Sequence, residues 1–529
     1  MHSLHSLIEA FSQDADYQSI VAGIRSGMRE QLVSGLAGSS RQVMIAALAE
    51  ELERPILVVT HNLFSAQKIA EDLVECLSAD QVLLYPAQEF LMADAATASP
   101  ETMGQRIDVL TKLARGFRGV LVTPFAGLRK LLPTPETYRE SQIEIRVGDR
   151  VDLHSILLKM TELGYERVEK VESPGEMSIR GGIIDFYPPT AETPYRVELF
   201  DVEVDSIRSF DAADQRSIEK YPSVTIPPCR EIIADGKRLQ SAARHAAELL
   251  EAQLSKMVDR QAKERLQKQI GHELEMLREQ QTFAGLYKYV ALIYPERSTL
   301  VDYVAQDAVM IVDEPSRLIE TARQLEREEA EWMTHSLQQG VFLPAFTLSK
   351  SYDALMAGKP FPTLYLSLFL RQVPHTQPQN IVNFICRAMQ NFHGQMHLLK
   401  AEMERWKKAG NRVFLLAGGE ERLERMRRVL HDYRIDEPEM IPVNLQTGFE
   451  LPSVRIVAVT EGEMFTNRQR KARKVTQKLE YAERIKSYQE LRVGDYVVHV
   501  NHGIGKYIGI GTLEVGGTHK DYLHILYAG

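Results

Sequence analysis

The chain has 529 residues, 44% of them apolar and 26% charged, and 63 Lys and Arg against 72 Asp and Glu give a formal net charge of −9. That length exceeds a single hydrophobic core and implies roughly three to five domains, while the acidic balance excludes a protein that coats nucleic acid with its whole surface. Cys76, Cys229 and Cys386 lie far apart with no C-x-x-C, no leader or membrane-spanning run is present, and a soluble chain in a reducing cytoplasm is expected.

Residues 1–139 alternate strand and helix patterns. Leu32-Val33 leads into Gly35-Leu-Ala-Gly-Ser-Ser-Arg-Gln42, Val43 to Leu52 has helical apolar spacing, and Pro55 to Thr60 reads as a buried parallel strand. Strand, glycine turn, helix and strand form a βαβ unit, where a live phosphate loop would read G-x-x-x-x-G-K-[ST]. Gly35 and Gly38 remain, but Ser40 replaces the last glycine, Arg41 the lysine and Gln42 the Mg²⁺-binding hydroxyl. An arginine fork does not substitute for a compact ammonium beneath a phosphate chain. The octapeptide fits an ordinary Gly/Ser turn capping a helix equally well. Ala308 to Val312 followed by Asp313-Glu314 resembles the strand and acidic pair of a Walker B motif, and the two features together favour a degenerate NTPase core without ATP hydrolysis. Gln81 to Tyr85 and Gly119 to Thr123 are further strand candidates.

From Ser141 the pattern changes to short strands and turns: Ile143 to Gly148, a helix across Leu153 to Leu163, then strands over Gly181 to Tyr187 and Tyr195 to Phe200. An inserted α+β domain over 140–227 is the expectation. Residues 228–349 return to the first core through a charged helical stretch, Arg238 to Gln280, with Gly271 as its candidate break. A second small α/β domain is expected over 360–466, from a strand at Thr363 through a helix Gln379 to Lys407, a strand Asn411 to Ala417, a helix Glu420 to His431 and a strand Val454 to Thr460. Residues 467–489 are a basic linker, since nine basic residues from Arg468 to Arg492 face three acidic ones and the densest run, Arg468 to Lys474, has no interleaved aromatic. Residues 490–529 are glycine-rich and β-forming, and read as the start of a small SH3/Tudor-like β-barrel. The overall class is α/β multidomain, and from the incomplete barrel a longer parent chain is the expectation.

The run from Gly164 through Ser178-Ile-Arg180-Gly181-Gly182-Ile-Ile-Asp185-Phe186 and Tyr195-Arg196-Val-Glu-Leu-Phe200 to Asp211 resembles the UvrA-binding domain of UvrB, and more closely its counterpart in the Mfd family of transcription-repair coupling factors. Leu274 to Glu279 with Phe283 to Tyr287 resembles the helix returning to the first UvrB core domain. Gly494 to Tyr507 resembles the opening of the RNA-polymerase-interacting domain that this family shares with CarD-type regulators and UvrB lacks. Only about a dozen residues, with Phe90 as their sole aromatic, stand where UvrB carries a long aromatic hairpin, so lesion verification is not expected.

The resemblance implies UvrA and the RNA polymerase β subunit as partners of a monomeric adaptor. It implies an ATP- and Mg-dependent double-stranded DNA translocase of helicase superfamily 2 C-terminal to this chain, with no cofactor in the chain itself. Arg180, Arg196 and Phe200, with Arg167 as an addition, are carried over as the UvrA-facing surface; Phe200 reads equally as a core residue. Leu513 and Val500 are the candidate polymerase contacts, either at a strand edge or in the barrel core. Two rival readings are a UvrB-type ATP-using excision helicase, with Arg41, Asp313 and Glu314 handling nucleotide, and a CarD-type regulator without a repair role.

Overall fold

The computed structural model describes residues 4–87, 100–281, 283, 285–435, 438–465, 496–499, 503–515 and 518–527. The chain is mixed α/β and organised around a seven-stranded sheet in the order Asn380–Asn383, Glu30–Ser34, Thr363–Ser367, Val309–Asp313, Ile56–Thr60, Val120–Pro124, Val82–Leu84, with every pairing parallel. Both faces are buried, which is why these strands read as continuous apolar runs. Leu57, Val59, Met310 and Val312 enter one core, and Ile56, Val58, Val309 and Ile311 the other.

Two expectations about the second α/β region are corrected. The strand Thr363–Ser367, read as the opening of a separate domain, lies near the middle of the first sheet between Glu30–Ser34 and Val309–Asp313. The stretch read as a helix from Gln379 instead forms strands Asn380–Asn383 and Arg387–Ala388, and helix begins only at Met396–Lys408. Beyond that point a five-stranded sheet runs in the order Arg387–Ala388, Phe449–Leu451, Ile456–Thr460, Arg412–Leu416, Glu439–Ile441. One of its faces packs around Trp406 and Leu399, while Phe414, Leu416, Phe449 and Ala458 join the same hydrophobic cluster as Phe11, Val43 and Leu73 of the first core. The two sheets are therefore welded through a shared core.

The inserted region begins and ends on a strand pair, Ile143–Arg146 against Ser223–Ile226, antiparallel, which ties its two junctions together. Between them a six-stranded sheet runs Ser217–Tyr221, Glu203–Phe210, Tyr195–Phe200, Ile183–Phe186, Glu176–Arg180, Glu166–Arg167. The charged helical stretch is two helices, Gly236–Lys256 and Arg260–Arg278. The break falls at residues 257–259, where Met257 is extended and the Asp259 carboxylate accepts from the amides of Gln261 and Ala262, and not at Gly271, which sits within the second helix. The last described unit is an antiparallel sheet of three strands, Tyr496–His499, Gly503–Val515 and Thr518–Tyr527; no barrel forms among the described residues, so that expectation is not met there. The basic linker and Phe90 lie outside the described residues.

Candidate functional sites

The glycine loop leaves the C-terminal end of Glu30–Ser34 and enters helix Ser40–Leu52. Gly35 and Gly38 hold φ of +84° and +59°, and added Cβ atoms would stand 2.0 Å from the Phe384 carbonyl oxygen and 2.5 Å from that of Gly448. The glycines thus accommodate other backbone of the same chain. The Ser39 amide donates to the Thr447 carbonyl at 3.2 Å, and the Thr447 amide donates back to Ser39 Oγ at 3.2 Å. Ser39 Oγ also donates to Asp72 Oδ2 at 2.6 Å, and Asp72 Oδ1 accepts from the Gln446 amide at 3.0 Å. A loop amide of the kind that would cradle phosphate is here committed to a carbonyl from the second sheet unit.

Arg41 completes the closure. Its Nη1 donates to Asp313 Oδ1 and its Nη2 to Glu314 Oε1, both at 2.6 Å, while Nε reaches the Leu36 carbonyl at 3.3 Å. Burial alone would lower the Arg41 pKa, but Asp313 and Glu314 outweigh it and hold the guanidinium charged. Glu314 sits at φ +50°, just before helix Pro315–Gln338, and its Oε1 also accepts from the Leu368 amide at 2.9 Å. Gln42 Oε1 is buried without a hydrogen-bond partner. Ser40 Oγ turns back to the Ala37 carbonyl at 2.7 Å. Of the seven residues singled out here, Arg41, Asp313 and Glu314 come together as an internal ion cluster, whereas Gly35 and Gly38 stand against Phe384 and Gly448, Ser40 bonds the Ala37 carbonyl and Gln42 Oε1 is unpartnered. This donor set does not fit ATP and Mg²⁺, since both carboxylates and the loop amide would first have to be released. Among the described residues no group of three His, Cys, Asp or Glu could hold a metal ion, and no helix is long and apolar enough to cross a membrane.

The inserted sheet brings a second set together. Alternation along Tyr195–Phe200 puts Arg196, Glu198 and Phe200 on one face, opposite the core-facing Val197. Register carries that face across the sheet as Ser178, Asp185, Arg196, Arg208 and Lys220, with Arg180, Ile183, Glu198 and Ser206 in the adjoining row. Phe200 is 82% exposed, beside the tight turn at Asp201, so the core reading of this residue is excluded. Asp185, 1% exposed, accepts from Arg196 Nε at 2.7 Å and Nη2 at 2.8 Å, and Arg180 Nη2 lies 3.4 Å from its Oδ2. Hydrogen bonding to Asp185 raises the Arg196 pKa against the opposing effect of burial. Its guanidinium also lies 4.5 Å over the Phe210 ring. Arg208 pairs with Glu198.

Arg167 is exposed on the edge strand, at the register of the core-facing Met177, so it does not share the face of Arg180. Asp185 and Arg208 were not singled out from the sequence; each lies on a neighbouring strand and joins the face of Arg196 only through cross-strand register, which alternation within one strand does not reveal.

In the last unit, Gly503–Val515 pairs along its length with Thr518–Tyr527, Leu513 lying opposite Lys520. On its other side it pairs with Tyr496–His499 only through Gly503 to Lys506, so the edge from Tyr507 to Val515 has no strand partner among the described residues. Val500 lies outside them.

Comparison with known proteins places two matches on these units. The family model described as the UvrB interaction domain matches residues 143–231, and that described as the CarD-like/TRCF RID domain matches residues 491–529. The transcription-repair-coupling factor of Bacillus subtilis (strain 168) is 46% identical over 537 aligned residues, covering 99% of this chain and 46% of the relative. Those of Staphylococcus aureus (strain bovine RF122 / ET3-1) and Staphylococcus haemolyticus (strain JCSC1435) are 34% and 35% identical, each over 95% of this chain and 44% of the relative. The chain thus spans just under half the length of the curated relatives it matches.

Proposed function

We propose, from its homology to transcription-repair-coupling factors over 99% of its length, that this chain is the N-terminal part of such a factor: an adaptor that recruits UvrA to stalled RNA polymerase. The observation that carries this reading is the coincidence of the UvrB interaction domain match with a sheet whose solvent face presents Arg180, Arg196 and the exposed Phe200. Arginine forks around an aromatic anchor are the residue types that carry interface energy. The three-stranded unit with its open edge from Tyr507 to Val515 is the polymerase hook, docking on the β subunit by strand addition, with Leu513 at the contact. The ATP-driven translocase belongs to the part of the relatives that this chain does not span.

The seven-stranded unit is a degenerate P-loop core retained as a platform. The UvrB-type alternative requires nucleotide at Gly35 to Gln42, and the Arg41 fork together with the Ser39–Thr447 bonds argue against it. Titration of the purified chain with UvrA tests the proposal. Wild type binds saturably, Arg180→Glu loses roughly 10-fold or more in affinity with an unchanged melting temperature, and equal binding by both removes the assignment. Binding to polymerase without any binding to UvrA would favour the CarD-type reading.

A further inference from the structure

We propose that Asp185 is the positioning residue of the inserted domain's docking face: its buried carboxylate fixes Arg196 beside Arg180, so that the pair offers preset forks to carboxylates on the partner. This deepens the UvrA reading and rests on it.

The geometry is specific to a carboxylate. Asp185 gives one oxygen to Arg196 Nε and the other to Nη2, and the second oxygen also faces Arg180 Nη2. Gln215 Oε1 accepts from the same Arg196 Nη2 at 3.1 Å, and Phe210 supports the flat face of the guanidinium. Arg196 is thereby held on three sides, with Nη1 making no hydrogen bond among the described residues. Arg180, whose side chain is 57% exposed, is tethered among the described residues only by its long contact to Asp185, with Nε and Nη1 making no hydrogen bond to them. Two guanidinium groups with free edges, anchored on one buried negative charge, are pre-organised for acidic groups. A surface arginine on a flexible stem would instead lose rotamer freedom on binding.

An asparagine at 185 would keep the shape but present an NH₂ group to a guanidinium donor, releasing Arg196 from its fixed orientation. The test is a double-mutant cycle read by UvrA titration, using UvrA itself as the probe. Asp185→Asn is expected to weaken binding by roughly 10-fold and to retain that effect in an Arg180→Ala background, but to add less than about 2-fold in an Arg196→Ala background. A purely structural role would give the same loss in every background and overturns the proposal. So does wild-type affinity of Asp185→Asn while Arg180→Glu and Arg196→Ala are weakened; that result leaves the UvrA reading standing. If wild type fails to bind, or Arg180→Glu and Arg196→Ala bind normally, the UvrA reading falls and the positioning role with it. Should Asp185→Asn fold poorly, Gln215→Ala removes the second acceptor of Arg196 without touching the buried charge. It is expected to cost about 3-fold in affinity, again only when Arg196 is present, and an unchanged affinity overturns the proposal.

Discussion

Arg41→Ala isolates the internal clamp that joins the glycine loop to Asp313 and Glu314. The substitution leaves Asp313 and Glu314, 10% and 22% exposed as side chains, facing each other without their shared cation. Breaking a buried ion pair by deleting one partner costs about 3–5 kcal/mol, because the remaining charge stays desolvated. Some of this is recovered here through the partial exposure of Glu314 and its bond from the Leu368 amide, which places the expectation near the lower bound, ~3 kcal/mol. Arg41→Lys keeps the charge but loses the fork, and is expected to cost about 1–2 kcal/mol. Urea unfolding followed by tryptophan fluorescence reads both, because the two tryptophans report different parts: Trp332 lies in the helix that Glu314 precedes, and Trp406 in the core of the second sheet unit. With a slope of ~3 kcal/mol/M the midpoint for Arg41→Ala falls by ~1 M. Added salt changes the loss little, since the cluster is buried. A loss below about 0.5 kcal/mol, the size of an ordinary surface substitution, would refute the clamp; so would saturable ATP binding by the wild-type chain.

Glu231 provides a pH prediction: although burial would raise its pKa, Lys130 and Arg106, with a hydrogen bond from Tyr85, hold it at about 2. A carboxyl lowered in the folded state stabilises above its unfolded pKa and loses that contribution as pH falls, here from 4.5 towards about 2, so roughly 3 kcal/mol disappears across that window. Glu231→Gln should flatten the acid limb of a stability-versus-pH curve, and an unchanged limb would contradict the assignment. Gly38→Ala forces a Cβ to within 2.5 Å of the Gly448 oxygen from a left-handed backbone, so hydrogen exchange at the Ser39 and Thr447 amides should accelerate; unaltered protection contradicts it. Phe200→Ala should leave stability within about 0.5 kcal/mol while weakening UvrA binding by at least ~10-fold, and a destabilised fold with normal binding reverses that assignment. Leu513→Asp should reduce polymerase retention, and undiminished retention removes Leu513 from the hook.

The elements whose partners lie nearby in sequence were legible. Tyr195–Phe200 has the predicted bounds, and alternation within it identifies the exposed face. The stretch after Asn380 was misread because Ile381, Phe384 and Ile385 have helical spacing, whereas Val382 and Phe384 are buried and Ile381 and Ile385 are 58% and 68% exposed, a strand's period. Thr363–Ser367 is a strand as read, but its place beside Glu30–Ser34 depends on parallel pairing across more than three hundred residues, which local pattern does not encode. The same limit hid the closure of the glycine loop. Ser40, Arg41 and Gln42 are legible as departures from a phosphate-loop pattern, but nothing in Gln446-Thr447-Gly448 reveals that this segment covers Ser39. Asp185 lies within a recognised motif, and its role became visible only when register set it opposite Arg196.

Calorimetric titration of UvrA into the intact chain, carried out with and without ATP, tests most directly whether a nucleotide-free scaffold presents a docking patch. The account predicts saturable UvrA binding of the same affinity in both conditions, no heat from ATP alone, and a loss of roughly 10-fold or more with Arg180→Glu. Binding that requires ATP, or no binding by the wild-type chain, would contradict it.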